Sequence, residues 1–333
     1  MNKGRRLLLT AIGQGDTLAM ADLGNLLLEG VHITKDKLQG VELLLRAIAS
    51  GEERAMLYLG VEYLEGKNIE QNVTEGKRFL ESAIDGNYLP AIHAMGLTLL
   101  SGEVLAQNIP EAIQYLERAA KEGYASAQCE LGDLLWENKY AEPNLLEAKK
   151  WLGKATSARD GIAEASLGHF YYAQGMYSDA ARSFLDSFRY GVHSAGINAV
   201  YIKRKMKDIA NVVFPSVKCL LAETLKEKDP YAIINYALCF ACGFESNIDW
   251  IEADNLILSI GTLSQKDIKW WFDLRLKGDT EAHLVIAWLV KHDLLIDPDG
   301  LSFVERMNKA KIDWDIPEWL FLKKNTVLKR LQH

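Results

Sequence analysis

A motif spaced by 36 residues occurs five times along the first part of the chain. At each step an apolar residue is followed by glycine, in the pairs Leu23-Gly24, Leu59-Gly60, Met95-Gly96, Leu131-Gly132 and Leu167-Gly168. An alanine lies four residues before each of these pairs. A fixed period of this length is typical of a solenoid, in which each repeat is one supersecondary unit. Such a fold usually binds other macromolecules, so the period predicts a binding protein.

Each unit contains two amphipathic segments, named here the A helix and the B helix. The A helix has the pattern Ala-x-x-x-Leu-Gly-x-x-apolar-x-x-Gly, as in Ala55, Leu59, Gly60, Tyr63 and Gly66. With the alanine counted as position 0, positions 0, 4, 8 and 11 fall on one helix face. The glycine at position 11 is expected to end the helix in a left-handed conformation.

The B helix has its own register, counted from a small residue at position 0. A bulky residue follows at position 3, a leucine at position 4 and an alanine at position 7, as in Gly76, Phe79, Leu80 and Ala83. One helix pair cannot bury this apolar stripe alone. The units are therefore expected to stack on one another.

This pattern resembles the Sel-one-like (Sel1-like) repeat family, relatives of the tetratricopeptide repeat with a longer connector. The resemblance rests on the A-helix motif and on the B helix, as in residues 112–123, and it covers residues 4–200. It implies an all-α, right-handed α-solenoid of stacked helix-turn-helix repeats that serves as a scaffold or adaptor. It implies neither a reaction nor a particular partner.

We predict two regions. Residues 1–200 hold a partial first unit and five repeats, and residues 201–333 form a divergent helical region. In the second region, residues 232–243 and 282–293 repeat the A-helix spacing weakly. We interpret them as degenerate units that extend or cap the array, because the last face of a solenoid is otherwise exposed. Trp314 and Trp319 are predicted core residues, with an exposed anchor as the alternative.

The net charge of −7 belongs entirely to the repeats. Residues 1–200 carry 19 basic and 26 acidic residues, whereas the remainder of the chain carries 19 of each. A general nucleic-acid-binding protein would show a basic stripe. The charge distribution therefore argues against a nucleic-acid partner.

The basic and apolar residues 1–12 have the composition of a signal peptide. However, Leu8, Ala11 and Gly15 lie 36 residues before their equivalents in the next B helix. The segment is better explained as the B helix of an incomplete first unit. Four unperiodic cysteines fit a reducing compartment, and no apolar run is long enough to span a bilayer. We therefore predict a cytoplasmic protein with no membrane contact.

No set of residues with catalytic spacing can be assembled. Cys239 and Cys242 form a C-x-x-C without a second pair or a histidine at metal spacing, and we interpret them as packing residues. The segment beginning at Asp297 opens like a calcium loop, but Asn308 stands where that loop needs glutamate. We predict no enzymatic activity, no cofactor and no metal.

The predicted partner site lies on the A helices, which line the concave surface of helix-pair solenoids. At about 100° per residue, positions 3, 6, 9 and 10 are expected to point away from the core. The polar and aromatic residues selected at these positions are Asp22, Glu29, Tyr58, Glu65, Glu130, Asp133, Trp136, Glu137, His169 and Tyr172. Acidic residues set approach rate and partner choice, and aromatic residues provide affinity. The expected partner is a basic protein segment with apolar residues.

These features predict a non-catalytic adaptor. Bacterial members of the family include immunity proteins, so a cytoplasmic immunity protein that neutralises a cognate toxin is one alternative. An enzyme with a divergent C-terminal domain is a second alternative. The sequence leaves the partner and the oligomeric state open.

Overall fold

The computed structural model describes residues 3–30, 33–137, 143–206, 212–242, 244–245, 247, 249–260, 285–286 and 288–289, with only the backbone at Ala158 and Trp250. The described residues form α-helices and one short 3-10 helix, with no strand among them. The chain divides into two compact units, residues 1–166 and residues 167–333, and each is described by itself.

Helices alternate between the A and B types in residues 1–166. A B-type helix comes first, and four A–B pairs follow it. The helices are α1 (Lys3–Gly13), α2 (Thr17–Glu29), α3 (Lys37–Ala49), α4 (Glu53–Glu65), α5 (Val73–Asp85), α6 (Leu89–Ser101), α7 (Ile109–Lys121), α8 (Ala125–Trp136) and α9 (Leu145–Ala155). A 3-10 turn (Thr156–Ala158) follows, and α10 (Gly161–Ala173) contains the division between the two units.

The helix ends follow from local chemistry. The A helices α2, α4 and α6 end at Gly30, Gly66 and Gly102, with φ of 72°, 65° and 69°. This left-handed conformation favours glycine, and the prediction for position 11 is confirmed in these units. The B helices of the four complete pairs start at Asp or Asn side chains. The Asn72 side chain, for example, accepts a hydrogen bond from the backbone N–H of Glu75 at 3.1 Å.

The two helices of a unit approach each other closely at glycine. A Cβ atom placed on Gly60 would lie 3.1 Å from the carbonyl oxygen of Gly76, and one placed on Gly76 would lie 2.8 Å from that of Gly60. The B-helix leucines at position 4 and alanines at position 7 are 0% exposed in all four pairs. Consecutive pairs pack in series, with α3 against α4, α5 against α6 and α7 against α8. The predicted all-α solenoid is confirmed.

The described residues of the second unit, which lie between 167 and 289, are also helical. They contain the end of α10, then α11 (Tyr177–Arg189), α12 (Ala195–Lys205), α13 (Val217–Lys226), α14 (Pro230–Cys242) and α15 (Trp250–Leu258). Helix α14 carries the weak repeat of the A-helix spacing, and its Ala232 and Ala237 are both 0% exposed. The last residue of this weak repeat, 243, lies outside the described residues. So does most of the second weak repeat, 282–293, of which only 285–286 and 288–289 are described.

Lys203 joins separate segments of the second unit. It forms an ion pair with Glu245, whose other carboxylate oxygen accepts a hydrogen bond from the backbone N–H of Val217 at 2.8 Å. The Lys203 ammonium also lies 5.4 Å from the ring centroid of Phe214 and 5.6 Å from that of Phe244. These contacts give the basic residue at position 203 a structural role.

Candidate protein-binding surface

The A helices expose some of the predicted positions and bury others. Position 10 is exposed throughout, at Glu29, Glu65, Ser101, Glu137 and Ala173. Positions 3 and 6 are half-buried in residues 1–166. These three positions of the A helices within residues 1–166, together with Trp136 at position 9 of α8, are called the A-helix face below.

The prediction for position 9 is wrong in the first two complete units. Leu28 is 0% exposed and Leu64 is 2% exposed. Position 9 lies about 40° around the helix from the glycine at position 5, and that glycine faces the B helix. Leu28 accordingly packs on Gly40, with its Cγ atom 2.9 Å from the place that a Cβ atom would take there. Trp136, at position 9 of α8, is therefore half-buried rather than fully exposed.

Asp22 is paired within the protein. It accepts hydrogen bonds from Arg54 Nη1 at 3.1 Å and from the Tyr58 hydroxyl at 3.4 Å. Hydrogen bonds to Tyr88 and Asp22 raise the pKa of Arg54, and burial, together with the charge of Asp22, raises the pKa of Tyr58. Arg54 was missed in the sequence, although it lies four residues before Tyr58, a spacing that places both on one helix face. The charge of Asp22 is thus largely compensated.

Helix α8 brings together the acidic and aromatic residues predicted for the fourth unit. The indole N–H of Trp136 donates a hydrogen bond to Asp133 Oδ1 at 3.0 Å. The Ser166 hydroxyl donates to the other oxygen, Oδ2, at 2.9 Å. Asp133 is therefore held in place by two donors and fixes the orientation of the Trp136 ring. Together with Glu130 and Glu137, these residues form the α8 cluster: Glu130, Asp133, Trp136 and Glu137.

The charged form of Glu130 is electrostatically disfavoured. Burial raises the pKa of its carboxyl group, and the neighbouring charges of Asp133 and Glu137 raise it further. A raised pKa means that the folded protein binds a proton more readily than the unfolded chain. The charged form of Glu130 therefore destabilises the fold at neutral pH.

Replacing Glu130 by Gln should raise the melting temperature at about pH 7, because the amide keeps the shape and removes the charge. The gain should shrink as the pH falls through the raised pKa of Glu130. It should vanish below about pH 4, the range of the pKa of an unfolded glutamate. Glu70→Gln, at an exposed connector carboxyl, is the control and should change the melting temperature little. Equal melting temperatures for Glu130→Gln and wild type at pH 7 would contradict the assigned cost.

Four more predicted site residues lie away from Asp22 and the α8 cluster: Glu29, Glu65, His169 and Tyr172. Glu29 is exposed and accepts a hydrogen bond from Asn25 at 3.2 Å, and Glu65 is exposed at the end of α4. In residues 167–333, His169 is exposed and meets the Phe184 ring edge-on, with centroids 4.9 Å apart. Tyr172 is half-buried, with ring centroids 5.6 Å from Tyr177 and 6.2 Å from Tyr201.

The cysteines of the C-x-x-C motif are packing residues of α14, whereas Cys219 is exposed. Cys239 is buried in α14 and Cys242 is half-buried. Burial, with Asp133 next in importance, raises the pKa of the Cys129 thiol to about 12, so it is not a thiolate nucleophile at neutral pH. Among the described residues, no group of three or more His, Cys, Asp or Glu residues could hold a metal ion. Asp297, Asn308, Trp314 and Trp319 lie outside these residues.

The helix pairs coincide with known sequence repeats. The Sel1 repeat model matches residues 17–52, 53–88, 89–124 and 125–160, and each match contains one A–B pair. Residues 17–160 thus consist of four consecutive Sel1 repeats. Sel1 repeat proteins generally mediate protein–protein interactions and are typically non-catalytic scaffolds. No curated protein sequence matches the chain.

Solved structures share the fold. One is a protective antigen of uropathogenic Escherichia coli with an SLR fold, 18% identical to this chain at a TM-score of 0.57, covering 93% of this chain and 72% of that one. Another is a Sel1 repeat protein from Oxalobacter formigenes, 21% identical at a TM-score of 0.50, covering 59% of this chain and 82% of that one. At these identities the likeness concerns the fold. No helix among the described residues has the length and apolar character needed to span a membrane.

Proposed function

We propose that this Sel1-like protein is a non-catalytic adaptor whose A-helix face binds a basic segment of a partner protein. The observation that carries the proposal is the α8 cluster. There an oriented tryptophan lies beside three acidic side chains, and the pKa of one of them, Glu130, is raised by burial and by its acidic neighbours. A cationic side chain from a partner would stabilise the charged form of Glu130, and the indole ring offers apolar area to the same segment.

The α8 cluster is favoured over the other end of the A-helix face for a physical reason. Asp22 already has Arg54 as its counter-charge, so a partner's cation would gain less there. Glu130, by contrast, has two neighbours of its own charge sign, Asp133 and Glu137, which raise its pKa. A partner's lysine or arginine would therefore bind more strongly at α8 than at α2.

An affinity pull-down from lysate of the native cell tests the proposed adaptor function. Tagged wild type and the double variant Glu130→Lys with Glu137→Lys would be compared at low and high salt. We expect the double variant to lose captured proteins that wild type retains, because it reverses two charges of the cluster. Wild-type capture should weaken as salt rises. The matched control is Glu81→Lys with Asp85→Lys, which makes the same change in net charge on exposed B-helix positions.

The pattern of captured proteins also separates the alternatives. Several substoichiometric partners favour an adaptor. One stoichiometric basic partner, whose toxic activity the complex blocks, favours a cytoplasmic immunity protein. If the α8 double variant captures the same proteins as wild type, the assignment of the binding surface is wrong.

A further inference from the structure

A cavity of about 260 Å³ lies where helices α7, α8 and α9 meet in the first compact unit, and it is called the α7–α9 cavity below. Its apolar walls are Ile113 of α7, Leu131, Leu134 and Leu135 of α8, and Trp151 of α9. Ile113, Leu134 and Leu135 are only half-buried, so their side chains keep apolar area for an occupant. None of these residues belongs to the α8 cluster.

The second repeat shows which kind of group packs among such walls. Four of the wall residues have equivalents 72 positions earlier in the chain: Val41, Leu59, Tyr63 and Phe79. All four belong to one apolar cluster or pack against it, and so does Ile69, from the connector between α4 and α5. In the third repeat, Leu105 of the next connector likewise packs against the cluster that contains Leu99. An aliphatic connector residue therefore accompanies these helix surfaces in both repeats.

The fourth repeat has a smaller residue at the corresponding position. Ile69 and Leu105 lie 36 residues apart, and the next step of 36 leads to Ala141. The structure does not describe residue 141. An alanine side chain nevertheless ends at Cβ, so it lacks the branched aliphatic atoms that leucine and isoleucine provide. The α7–α9 cavity is thus bounded by walls that pack an aliphatic side chain elsewhere in the array.

The polar residues of the cavity define the charge that would suit an occupant. They are Glu117, Asn144 and Glu147, and the described lining contains no basic residue. Glu117 is paired with Lys121 at 2.7 Å, and Glu147 with Lys150 at 3.1 Å, each within its own helix. Exposed pairs of this kind contribute little free energy, and a carboxylate accepts more than one hydrogen bond. Both glutamates therefore remain able to bind a further cation.

The volume of the cavity favours a side chain over a larger free ligand. Small-molecule sites typically measure about 300–1,000 Å³, whereas an apolar cavity of about 150 Å³ already holds benzene. We propose that the α7–α9 cavity binds a leucine or isoleucine side chain of a partner protein, with a basic residue beside it. The aliphatic group would contact the apolar walls, and the basic group would lie near Glu117 and Glu147. This inference does not depend on the proposed function, because the cavity and the α8 cluster share no residue.

The test measures binding of the peptide acetyl-Lys-Leu-Lys-amide to the full chain, labelled with ¹³C at its isoleucine and leucine methyl groups. We expect the methyl signals of Ile113, Leu131, Leu134 and Leu135 to shift on one saturation curve, with a Kd of about 1–10 mM. Acetyl-Lys-Ala-Lys-amide keeps the charge but lacks the branched side chain, and should bind at least about fivefold more weakly. Acetyl-Glu-Leu-Glu-amide should also bind more weakly, because its charges repel the two carboxylates of the cavity.

Two variants block the cavity in different ways. Ile113→Trp enlarges one wall, and Ala141→Leu gives the fourth repeat the aliphatic residue that the second and third repeats have. Each should weaken binding of the leucine peptide at least about fivefold. The matched control is Leu146→Trp, which adds the same ring at a leucine that is 80% exposed on α9 and does not line the cavity. It should bind as wild type does, and circular dichroism would verify that each variant is folded.

The proposal is overturned if the alanine peptide binds as tightly as the leucine peptide, or if both blocking variants bind like wild type. Equal binding of the glutamate peptide would overturn the requirement for a basic residue. Binding that appears only in a Tyr140→Ala variant would also overturn the proposal, because the occupant would then be the chain's own connector. Shifts confined to methyl groups outside the cavity would assign the peptide to another surface and have the same consequence.

Discussion

Replacing Gly76 by Ala is expected to lower the free energy of unfolding by about 1–3 kcal/mol, although alanine is the better helix former. The added Cβ atom would lie 2.8 Å from the Gly60 carbonyl oxygen, 2.8 Å from Leu64 Cγ and 2.9 Å from the Leu64 backbone nitrogen. Two of these atoms belong to backbone, so no rotamer change can relieve the contact. The A and B helices of the unit must move apart, and the leucine packing beside them loosens.

Gly153→Ala is the matched control for this prediction. Gly153 is also inside a B helix, but a Cβ atom there would meet nothing within 4 Å. Its replacement should raise stability by about 0.5–1 kcal/mol, because alanine loses less conformational freedom on folding. Urea unfolding followed by circular dichroism would measure both variants. If neither variant lost stability, helix propensity rather than the Gly60–Gly76 contact would determine the outcome. A loss in both variants would show that the effect is not specific to that contact.

The 36-residue period predicts most of the fold because each repeated residue meets a geometric requirement within its own repeat unit. Gly66 ends a helix in the left-handed region, and Gly60 permits the close approach of Gly76. These requirements depend on residues near in the sequence or in the same unit. They recur with the unit, so one sequence is enough to detect them.

The candidate surface was less predictable because it depends on how helices cross. A helical wheel gives the angle of each residue around the A helix, but it does not show on which side the B helix packs. Position 9 was therefore assigned to the outer surface, although it faces the B helix. The glycine at position 5 was the available signal, since a small residue marks the side of closest approach. The ion pair between Asp22 and Arg54 joins neighbouring units across 32 residues, and only the stacking of α2 and α4 brings these side chains together.

The strongest test of the α8 cluster is the removal of its aromatic ring. Trp136→Ala should weaken binding of a captured partner by about 2 kcal/mol or more, roughly thirtyfold in Kd. A half-buried indole that is already oriented by Asp133 loses little further freedom on binding. Most of its newly covered area would therefore contribute to affinity. Isothermal titration calorimetry with the purified partner would provide the measurement.

Trp136→Phe separates the two contributions of this residue. Phenylalanine keeps an aromatic ring but cannot donate to Asp133 Oδ1, whereas the Ser166 hydroxyl still donates to Asp133 Oδ2. If apolar contact provides the affinity, the Phe variant should lie closer to wild type than to the Ala variant. If both variants bind as wild type does while the double charge reversal abolishes binding, the cluster acts by charge alone. In that case Trp136 is a packing residue of α8, and the partner segment needs basic residues but no apolar ones.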